Sequence, residues 1–163
     1  MKQSMALLTS NKSNEWYTPL HIIEAARRVL GTIDLDPASN EVAQQYIKAT
    51  TFYTGDPVDG LTVKWTGTVW LNPPFSATPK WVRKFIRSDI TGILLTNSAP
   101  GYSWWEEAVD SMATVMLRKR LHFLNGPELQ DVGEAKKGQT VFYKGDNTDR
   151  FYNVFDSIGR TIN

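Results

Sequence analysis

The sequence contains no cysteine, no long apolar run and no N-terminal signal, and each absence excludes a class of protein. Without cysteine in its 163 residues, disulfide frameworks, thiolate metal sites and cysteine nucleophiles are excluded. No apolar stretch approaches the ~20 residues of a membrane span. Residues 1–10 also lack an apolar region long enough for a signal peptide. We therefore expect no membrane partner and take the cytoplasm as the default location.

The sequence also lacks an excess of charge of either sign. Its 18 Lys and Arg residues and 17 Asp and Glu residues leave a formal net charge of +1. Overall charge therefore does not indicate a nucleic-acid-binding protein, and any argument for one has to be local. The two histidines, His21 and His122, stand alone, so the sequence predicts neither a metal site nor a histidine-based catalytic triad.

The composition is that of an ordinary folded domain, with 41% hydrophobic and 21% charged residues. A chain of this length forms one domain with its own core, so we expect a single domain over residues 1–163. Residues 1–14 are polar and are expected to be loose. Residues 125–139 have no apolar period and predict a long loop, which is either a recognition insert or a mobile excursion.

The most informative stretch is Asn72-Pro73-Pro74-Phe75, which follows the apolar run 68–71. The run predicts a short buried strand that ends at the prolines. Asn72 is extended because it precedes a proline, and neither proline has an N–H to donate. The Pro73 carbonyl can therefore stay free as an acceptor beside the Asn72 side chain, with an aromatic ring immediately after it.

This arrangement suits a flat ring that carries an –NH2 group. Two acceptors can take the two amine hydrogens, while Phe75 stacks on the ring. The exocyclic amine of adenine is a poor nucleophile because its lone pair is delocalised into the ring. Hydrogen bonds from Asn72 and Pro73 would localise that lone pair for attack on a methyl group. A simple proline turn after a strand is the alternative interpretation.

Asn72-Pro73-Pro74-Phe75 resembles the catalytic motif of amino-methylating, S-adenosylmethionine-dependent methyltransferases. The wider pattern resembles the phage-type Dam family of DNA adenine methyltransferases over about residues 14–160. The resemblance implies methyl transfer from S-adenosylmethionine to the exocyclic amine of adenine in double-stranded DNA, with the base flipped out. It also implies the host cytoplasm if the protein is phage-encoded. The matching stretches are residues 15–19 (EWYTP), 34–40 (DLDPASN), 59–61 (DGL) and 70–76 (WLNPPFS).

The resemblance also implies a cofactor site near the start of the chain. Acidic groups at the end of the predicted strand 32–36 suit a methionine amine or ribose hydroxyls, and an Asp-Pro turn is the alternative. Residues 36–40 depart from many methyltransferases because they contain no glycine-rich loop. The implied cofactor-binding residues are Trp16, Thr18, Pro19, Asp34, Asp36, Pro37, Ala38 and Asp59.

Together these patterns predict an α/β protein with a compact, partly trimmed Rossmann-like methyltransferase fold. We expect a mostly parallel sheet with an antiparallel pair at the C-terminal side, where strands at 140–143 and 151–155 would form a hairpin. Only 35 residues separate Asp36 from the Leu71–Asn72 junction, which is too few for two strand–helix units. The sheet should therefore lack part of the usual core.

Two groups of cations are candidates for DNA binding. The first lies on one face of the helix predicted after Thr78, beside the proline motif, and a solvated face is the alternative. The second follows a predicted strand and, with the loop 125–139, is the candidate for sequence recognition. The residues are Lys80, Arg83, Lys84 and Arg87 in the first group, and Arg118, Lys119 and Arg120 in the second.

Two other functions stay open at this point. The chain could be a non-catalytic DNA-binding module that kept a methyltransferase fold, which the missing glycine loop favours. It could also methylate amines of RNA adenine or protein glutamine. The small size leaves little room for a separate recognition domain, so we expect specificity that is low or that a homodimer supplies.

Overall fold

The computed structural model describes residues 16–162, so the predicted loose segment 1–14 lies outside the described range. Within that range the chain forms five α-helices and nine strands. The helices are α1 Leu20–Leu30, α2 Glu41–Ile47, α3 Thr78–Arg87, α4 Ser103–Ser111 and α5 Thr148–Phe155. The strands are β1 Leu35–Asp36, β2 Thr51–Phe52, β3 Thr68–Leu71, β4 Thr91–Asn97, β5 Ala113–Leu117, β6 His122–Asn125, β7 Gln130–Glu134, β8 Gln139–Lys144 and β9 Gly159–Thr161.

Seven of these strands form one sheet in the order β2-β1-β3-β4-β8-β5-β9. Strands β2, β1, β3 and β4 are mutually parallel. Strand β5 runs in the same direction, because both β4 and β5 are antiparallel to β8. Only β8 and β9 run the other way. The predicted fold class is confirmed: an α/β protein whose sheet is mostly parallel and has antiparallel strands at its C-terminal side.

Helices cover both faces of this sheet. Alternate residues of β4 point into different cores: Ile93 packs with α1 and α5, whereas Leu94 packs with α3 and α4. This alternation follows from the two-residue period of a strand. The centre of β4, residues 92–95, is therefore free of polar side chains, as is usual for a strand covered on both faces. None of the helices in residues 16–162 has the length and apolar character needed to cross a membrane.

The connection between Asp36 and β3 is as short as the sequence spacing predicts. Between Asp36 and β3 the chain forms α2, the two-residue strand β2 and a short 3-10 helix, Gly60–Thr62. These elements amount to one strand–helix unit and not two. The sheet consequently ends at β2, one strand beyond β1.

The predicted strand at residues 151–155 is wrong, because these residues form the second half of α5. Phe151 and Phe155 are both buried, and residues four apart share a face in a helix as well as in a strand. A short apolar run therefore does not distinguish the two structures. The Asn147 side chain caps α5 by accepting a hydrogen bond from the Arg150 N–H (3.2 Å). The closing strand is β9, which pairs with β5.

The predicted long loop at 125–139 is also corrected. Strand β7 lies within it and pairs antiparallel with β6 to form a separate two-stranded hairpin. All five residues of β7 are exposed. Hydrophobic alternation marks a strand only when one of its faces is buried. This strand therefore leaves no periodic signal in the sequence.

Candidate active site at the carboxyl edge of the sheet

A cavity of about 220 Å³ opens beside the carboxyl ends of β1 and β3. Ligands of open α/β sheets bind at this edge because the loops that follow parallel strands meet there. The chain before α1, the loop after β1, the turn at 53–60 and the motif after β3 all contribute to its wall. The predicted residues that line it are Trp16, Thr18, Asp36, Pro37, Ala38, Asp59, Asn72, Pro73, Pro74 and Phe75.

Two predicted cofactor residues do not line this cavity. Pro19 is buried directly before α1, where it is the N-cap residue. The Asp34 carboxylate accepts a hydrogen bond from the Thr68 N–H at 2.9 Å. Asp34 therefore ties the start of β3 to the approach to β1, two residues before the carboxyl end. This bond gives Asp34 a role in the register of the sheet, outside the cavity wall.

The Asn72 side chain is held in one orientation by the chain before α1. Its amide nitrogen donates to Thr18 Oγ1 (3.1 Å) and to the Trp16 carbonyl oxygen (3.4 Å). A backbone carbonyl can only accept, so the –NH2 end of the amide has to face Trp16. The amide oxygen Oδ1 accepts no hydrogen bond from the described residues. Asn72 therefore keeps one acceptor available at the cavity wall.

The rest of the motif places a second acceptor and an exposed ring beside Asn72. Pro73 is buried, and its carbonyl accepts no hydrogen bond from the described part of the chain. The Pro74 carbonyl accepts from the Ala77 N–H (3.3 Å) and from Thr78 Oγ1 (3.2 Å), which closes a 3-10 turn. That turn leaves Phe75 45% exposed. The arrangement has the features that the tetrapeptide predicted: free acceptors followed by an accessible aromatic face.

Thr18 was predicted as a cofactor residue, but its contact with Asn72 indicates a positioning role. We expect Thr18→Val to lower kcat about tenfold, which corresponds to ~1.4 kcal/mol, the scale of one hydrogen bond. Valine has the shape of threonine but lacks the hydroxyl that accepts from Asn72. Thr18→Ser retains the hydroxyl and should keep most of the activity. Steady-state kinetics on both variants check this, and equal losses in both, or a change in KM alone, would contradict it.

Asp36 is the buried carboxylate of the cavity, with only 2% of its surface exposed. Gln44 Nε2 donates to its Oδ2 (2.9 Å), and the Ser39 hydroxyl and the Ala38 N–H also bond to it. Burial outweighs these bonds and raises the pKa of Asp36 to about 7. No described Lys, Arg or His forms an ion pair with it. A carboxylate in this setting suits a ligand that brings its own positive charge.

Side chains from α2 hold this wall in place, and the sequence did not single them out for function. Gln44 bonds to Asp36 and also donates to Ser39 Oγ (2.8 Å). Tyr46 donates its hydroxyl hydrogen to the Thr18 carbonyl (2.9 Å). Burial, followed by the nearby charge of Asp36, raises the pKa of Tyr46, so it remains a protonated donor. In the sequence, only the hydroxyl of Tyr46 hints at this role.

The turn after β2 approaches the loop after β1 very closely at Gly60. The Asp59 carboxylate caps the turn by accepting from the Leu61 N–H (2.9 Å). Trp65 Nε1 donates to the Gly60 carbonyl (2.8 Å). A Cβ atom at Gly60 would overlap the carbonyl oxygen of Pro37, which belongs to the backbone and cannot turn away. Glycine is therefore required where these two walls of the cavity meet.

Gly60→Ala should destabilise the protein by about 1–3 kcal/mol, because the added methyl group pushes the two walls apart. If the cavity holds the cofactor that the family resemblance implies, the variant should also bind its product, S-adenosylhomocysteine, more weakly. Thermal unfolding and calorimetric titration measure these effects. Gly138→Ala is the matched control: a Cβ there meets only Ser98 atoms at ordinary contact distances. Equal behaviour of the two variants would show that the close contact at Gly60 has no effect on the cavity.

Some of the predicted DNA-binding cations contact other side chains of the described chain, and others do not. Arg83 forms an ion pair with Glu107 (3.2 Å), and the Lys84 ammonium lies 5.1 Å from the centroid of the Trp65 ring. Lys80 and Arg87 are exposed and have no hydrogen bond or ion pair with the described residues. The α3 face therefore offers two free cations where four were predicted. The second group, Arg118, Lys119 and Arg120, is fully exposed beyond β5.

No group of three His, Asp or Glu side chains that could hold a metal ion occurs within residues 16–162. The cavity is lined by amide and backbone acceptors, aromatic rings and the buried carboxylate of Asp36, among other groups. These groups bind and orient organic ligands, and they are drawn from segments far apart in the sequence.

Comparison with known proteins supplies the family. A search of curated proteins found no match. The family model of DNA N-6-adenine-methyltransferase (Dam) matches residues 6–156, which is most of the chain and includes every segment of the cavity wall. The match confirms the family that the motifs predicted. The chain belongs to the Dam family of DNA N-6-adenine-methyltransferases.

Proposed function

We propose that this protein transfers a methyl group from S-adenosylmethionine to the exocyclic amine of adenine in duplex DNA. The observation that carries the proposal is the Asn72 amide, whose nitrogen is committed to Trp16 and Thr18 while its oxygen has no partner among the described residues. The family acts on adenine in DNA, and the arrangement at Asn72 supports an active site for this chemistry.

In the proposed site, Asn72 Oδ1 and the Pro73 carbonyl accept the two hydrogens of the adenine amine. These bonds favour a tetrahedral nitrogen, so its lone pair leaves the conjugated ring and becomes available for attack. Phe75 stacks on the face of the base, an arrangement that its exposure permits. Both acceptors are held before the substrate arrives, so little reorganisation is needed during the reaction.

The cofactor fits the chemistry of the remaining wall. When bound, S-adenosylmethionine supplies a methyl group on a sulfonium sulfur; the nitrogen–carbon bond forms as the carbon–sulfur bond breaks, and S-adenosylhomocysteine leaves. Asp36 would hold the methionine amine, because a buried carboxylate without a cationic neighbour is stabilised by a ligand cation. Trp16, Pro37, Ala38 and Asp59 also line this part of the cavity. The adenine nitrogen then loses its extra proton to water.

The target base has to leave the double helix for this reaction. An adenine amine in a stacked base pair cannot reach the cavity, so we propose that the base is flipped out. Flipping costs a few kcal/mol of unpairing and unstacking. Stacking on Phe75 and the hydrogen bonds at Asn72 offset part of that cost. Holding both reactants in one cavity then makes the methyl transfer effectively unimolecular.

The proposal is tested by following the label from methyl-labelled S-adenosylmethionine into competing substrates. Unmethylated duplex DNA, structured RNA and a glutamine-containing protein are offered in one reaction and then separated. We expect label in the DNA alone. Label in RNA or protein would show that the substrate is not DNA. Absence of cofactor binding would favour the non-catalytic DNA-binding module that the missing glycine loop suggested.

A further inference from the structure

The base of the β6–β7 hairpin concentrates positive charge. The Ala135 N–H donates to the Leu121 carbonyl (2.8 Å), which brings the two ends of the hairpin together. Residues 118–120 precede one end and residues 136–137 follow the other. All five side chains are exposed cations. We call them the hairpin-base cluster: Arg118, Lys119, Arg120, Lys136 and Lys137.

This cluster has no acidic partners within the described chain. The ion pairs there are Arg83–Glu107 and His122–Asp131, and neither involves a member of the cluster. Of the acidic side chains of the hairpin, Glu128 and Asp131 lie toward the tip, whereas Glu134 pairs with His122 beside the Leu121–Ala135 bond and forms no ion pair with the cluster. A protein with a net charge of only +1 thus leaves five neighbouring cations unneutralised. Such a concentration repels itself and attracts a polyanion.

The cluster lies at the same edge of the sheet as the cavity. Strand β5 runs in the same direction as β3, so residues 118–120 leave the sheet at the edge where Asn72 follows β3. The hairpin is also bonded directly to the chain before α1. Tyr17 and Leu124 exchange two backbone hydrogen bonds of 2.9 Å each.

The bonded segment is the one that orients Asn72. The carbonyl of Trp16 and the hydroxyl of Thr18, on either side of Tyr17, receive the two hydrogen bonds of the Asn72 amide. The Trp16 ring also packs edge-to-face on Phe123 in β6, with ring centroids 6.3 Å apart. A molecule bound at the hairpin base therefore lies at a defined position relative to the acceptor in the cavity.

We infer that the hairpin-base cluster binds the phosphate backbone of the DNA whose adenine occupies the cavity, an inference that rests on the proposed function. Lysine and arginine side chains on phosphates fix the position of a protein on the duplex without reading its sequence. The acidic side chains toward the tip repel the same backbone and so confine it to the base. Lys136 and Lys137 belong to this surface; both lie in the segment 125–139 that was predicted as a possible recognition insert, but neither was named individually.

The test is the salt dependence of binding to a short duplex by Lys136→Gln/Lys137→Gln. The slope of log K against log salt is negative, and each lost phosphate contact reduces its magnitude by about 0.9. The double variant should therefore reduce the magnitude of the slope by about 2. Equivalently, the loss of affinity between 50 mM and 200 mM salt should shrink about tenfold. The effect should be the same for every duplex sequence, because phosphates carry no sequence information.

Lys48→Gln/Lys64→Gln is the matched control. It removes the same two charges from exposed positions at the opposite edge, Lys48 before β2 and Lys64 before β3. Its slope should equal that of the unmodified protein. Equal slopes for all three proteins, or equal reductions in both variants, would overturn the inference, as would absence of duplex binding by the unmodified protein.

Failure of this inference and failure of the proposed function give different results. If the protein methylates DNA but Lys136→Gln/Lys137→Gln leaves the salt dependence unchanged, the proposed function stands and the inferred DNA-binding surface is wrong. If the protein binds duplex DNA through these lysines but transfers no methyl group, the inferred surface stands and the proposed reaction is wrong. Binding of S-adenosylhomocysteine should be unchanged in both lysine variants, since neither pair lines the cavity.

Discussion

Asn72→Ala is expected to lower the rate of methyl transfer by at least ~10²–10³-fold, the range seen when one prearranged hydrogen-bonding group is removed from an active site. The variant loses the acceptor that draws the amine hydrogen away from the ring plane. Alanine fits the space of asparagine, and the backbone beside Pro73 remains extended. The protein should therefore stay folded and bind S-adenosylhomocysteine with unchanged affinity.

A conservative substitution distinguishes the acceptor from mere packing at this position. Asn72→Asp retains oxygen acceptors but loses both donated hydrogen bonds, and it places a carboxylate against the Trp16 carbonyl. We expect activity between that of Asn72→Ala and that of the unmodified protein. Single-turnover rates at saturating DNA and cofactor make the comparison. Turnover by Asn72→Ala within a few-fold of the original rate would contradict the proposed mechanism.

Asp36→Asn is expected to stabilise the folded protein at pH 8 and to weaken its binding of S-adenosylhomocysteine at least tenfold. Burial raises the pKa of Asp36 from its ordinary 3.8 to about 7. Between these values the folded state holds a proton that the unfolded chain has released. The free energy of unfolding therefore falls as the pH rises from about 4 to 7. Asparagine cannot ionise, so the variant should not show this decrease in the free energy of unfolding, which is of the order of 1–4 kcal/mol.

The same carboxylate makes ligand binding depend on pH. Below about pH 7 Asp36 is protonated and no longer attracts a cationic amine, so affinity for S-adenosylhomocysteine should rise as the pH increases from 6 to 8. Asp36→Asn should abolish this rise. Thermal unfolding at pH 5 is the control, since there the original carboxyl is already protonated and the two proteins should differ little. If Asp36→Asn were less stable than the original protein at pH 8, burial of the ionised Asp36 carboxylate would not be destabilising, which would contradict this account.

The motif at 72–75 could be predicted from sequence because its properties are local. A proline forces the preceding residue into an extended backbone, and two prolines remove two donors wherever they stand. Asp36 was predicted partly for a local reason, because it is an acidic group at the end of the predicted strand 32–36, and partly from the family resemblance. The orientation of Asn72 could not be predicted in this way. It depends on Thr18, which lies 54 residues earlier in the chain.

The errors at the C-terminal side have equally specific causes. Strand β7 is exposed on both faces and therefore shows no alternation, while the four-residue spacing of Phe151 and Phe155 suits both helix and strand. The cations of α3 were correctly placed on one face. Their partners, Glu107 in α4 and Trp65 before β3, come from other segments. Sequence periodicity predicts which residues share a helix face, but it does not predict which residues of other segments contact that face.

The most direct test of the central claim is the chemical identity of the product. Duplex DNA without modified bases is incubated with the protein and S-adenosylmethionine, digested to nucleosides and analysed by mass spectrometry beside a reaction with Asn72→Ala. We predict N-6-methyladenine in the first digest and almost none in the second. Methylated cytosine, or equal amounts of methyladenine in both digests, would contradict the account of the site.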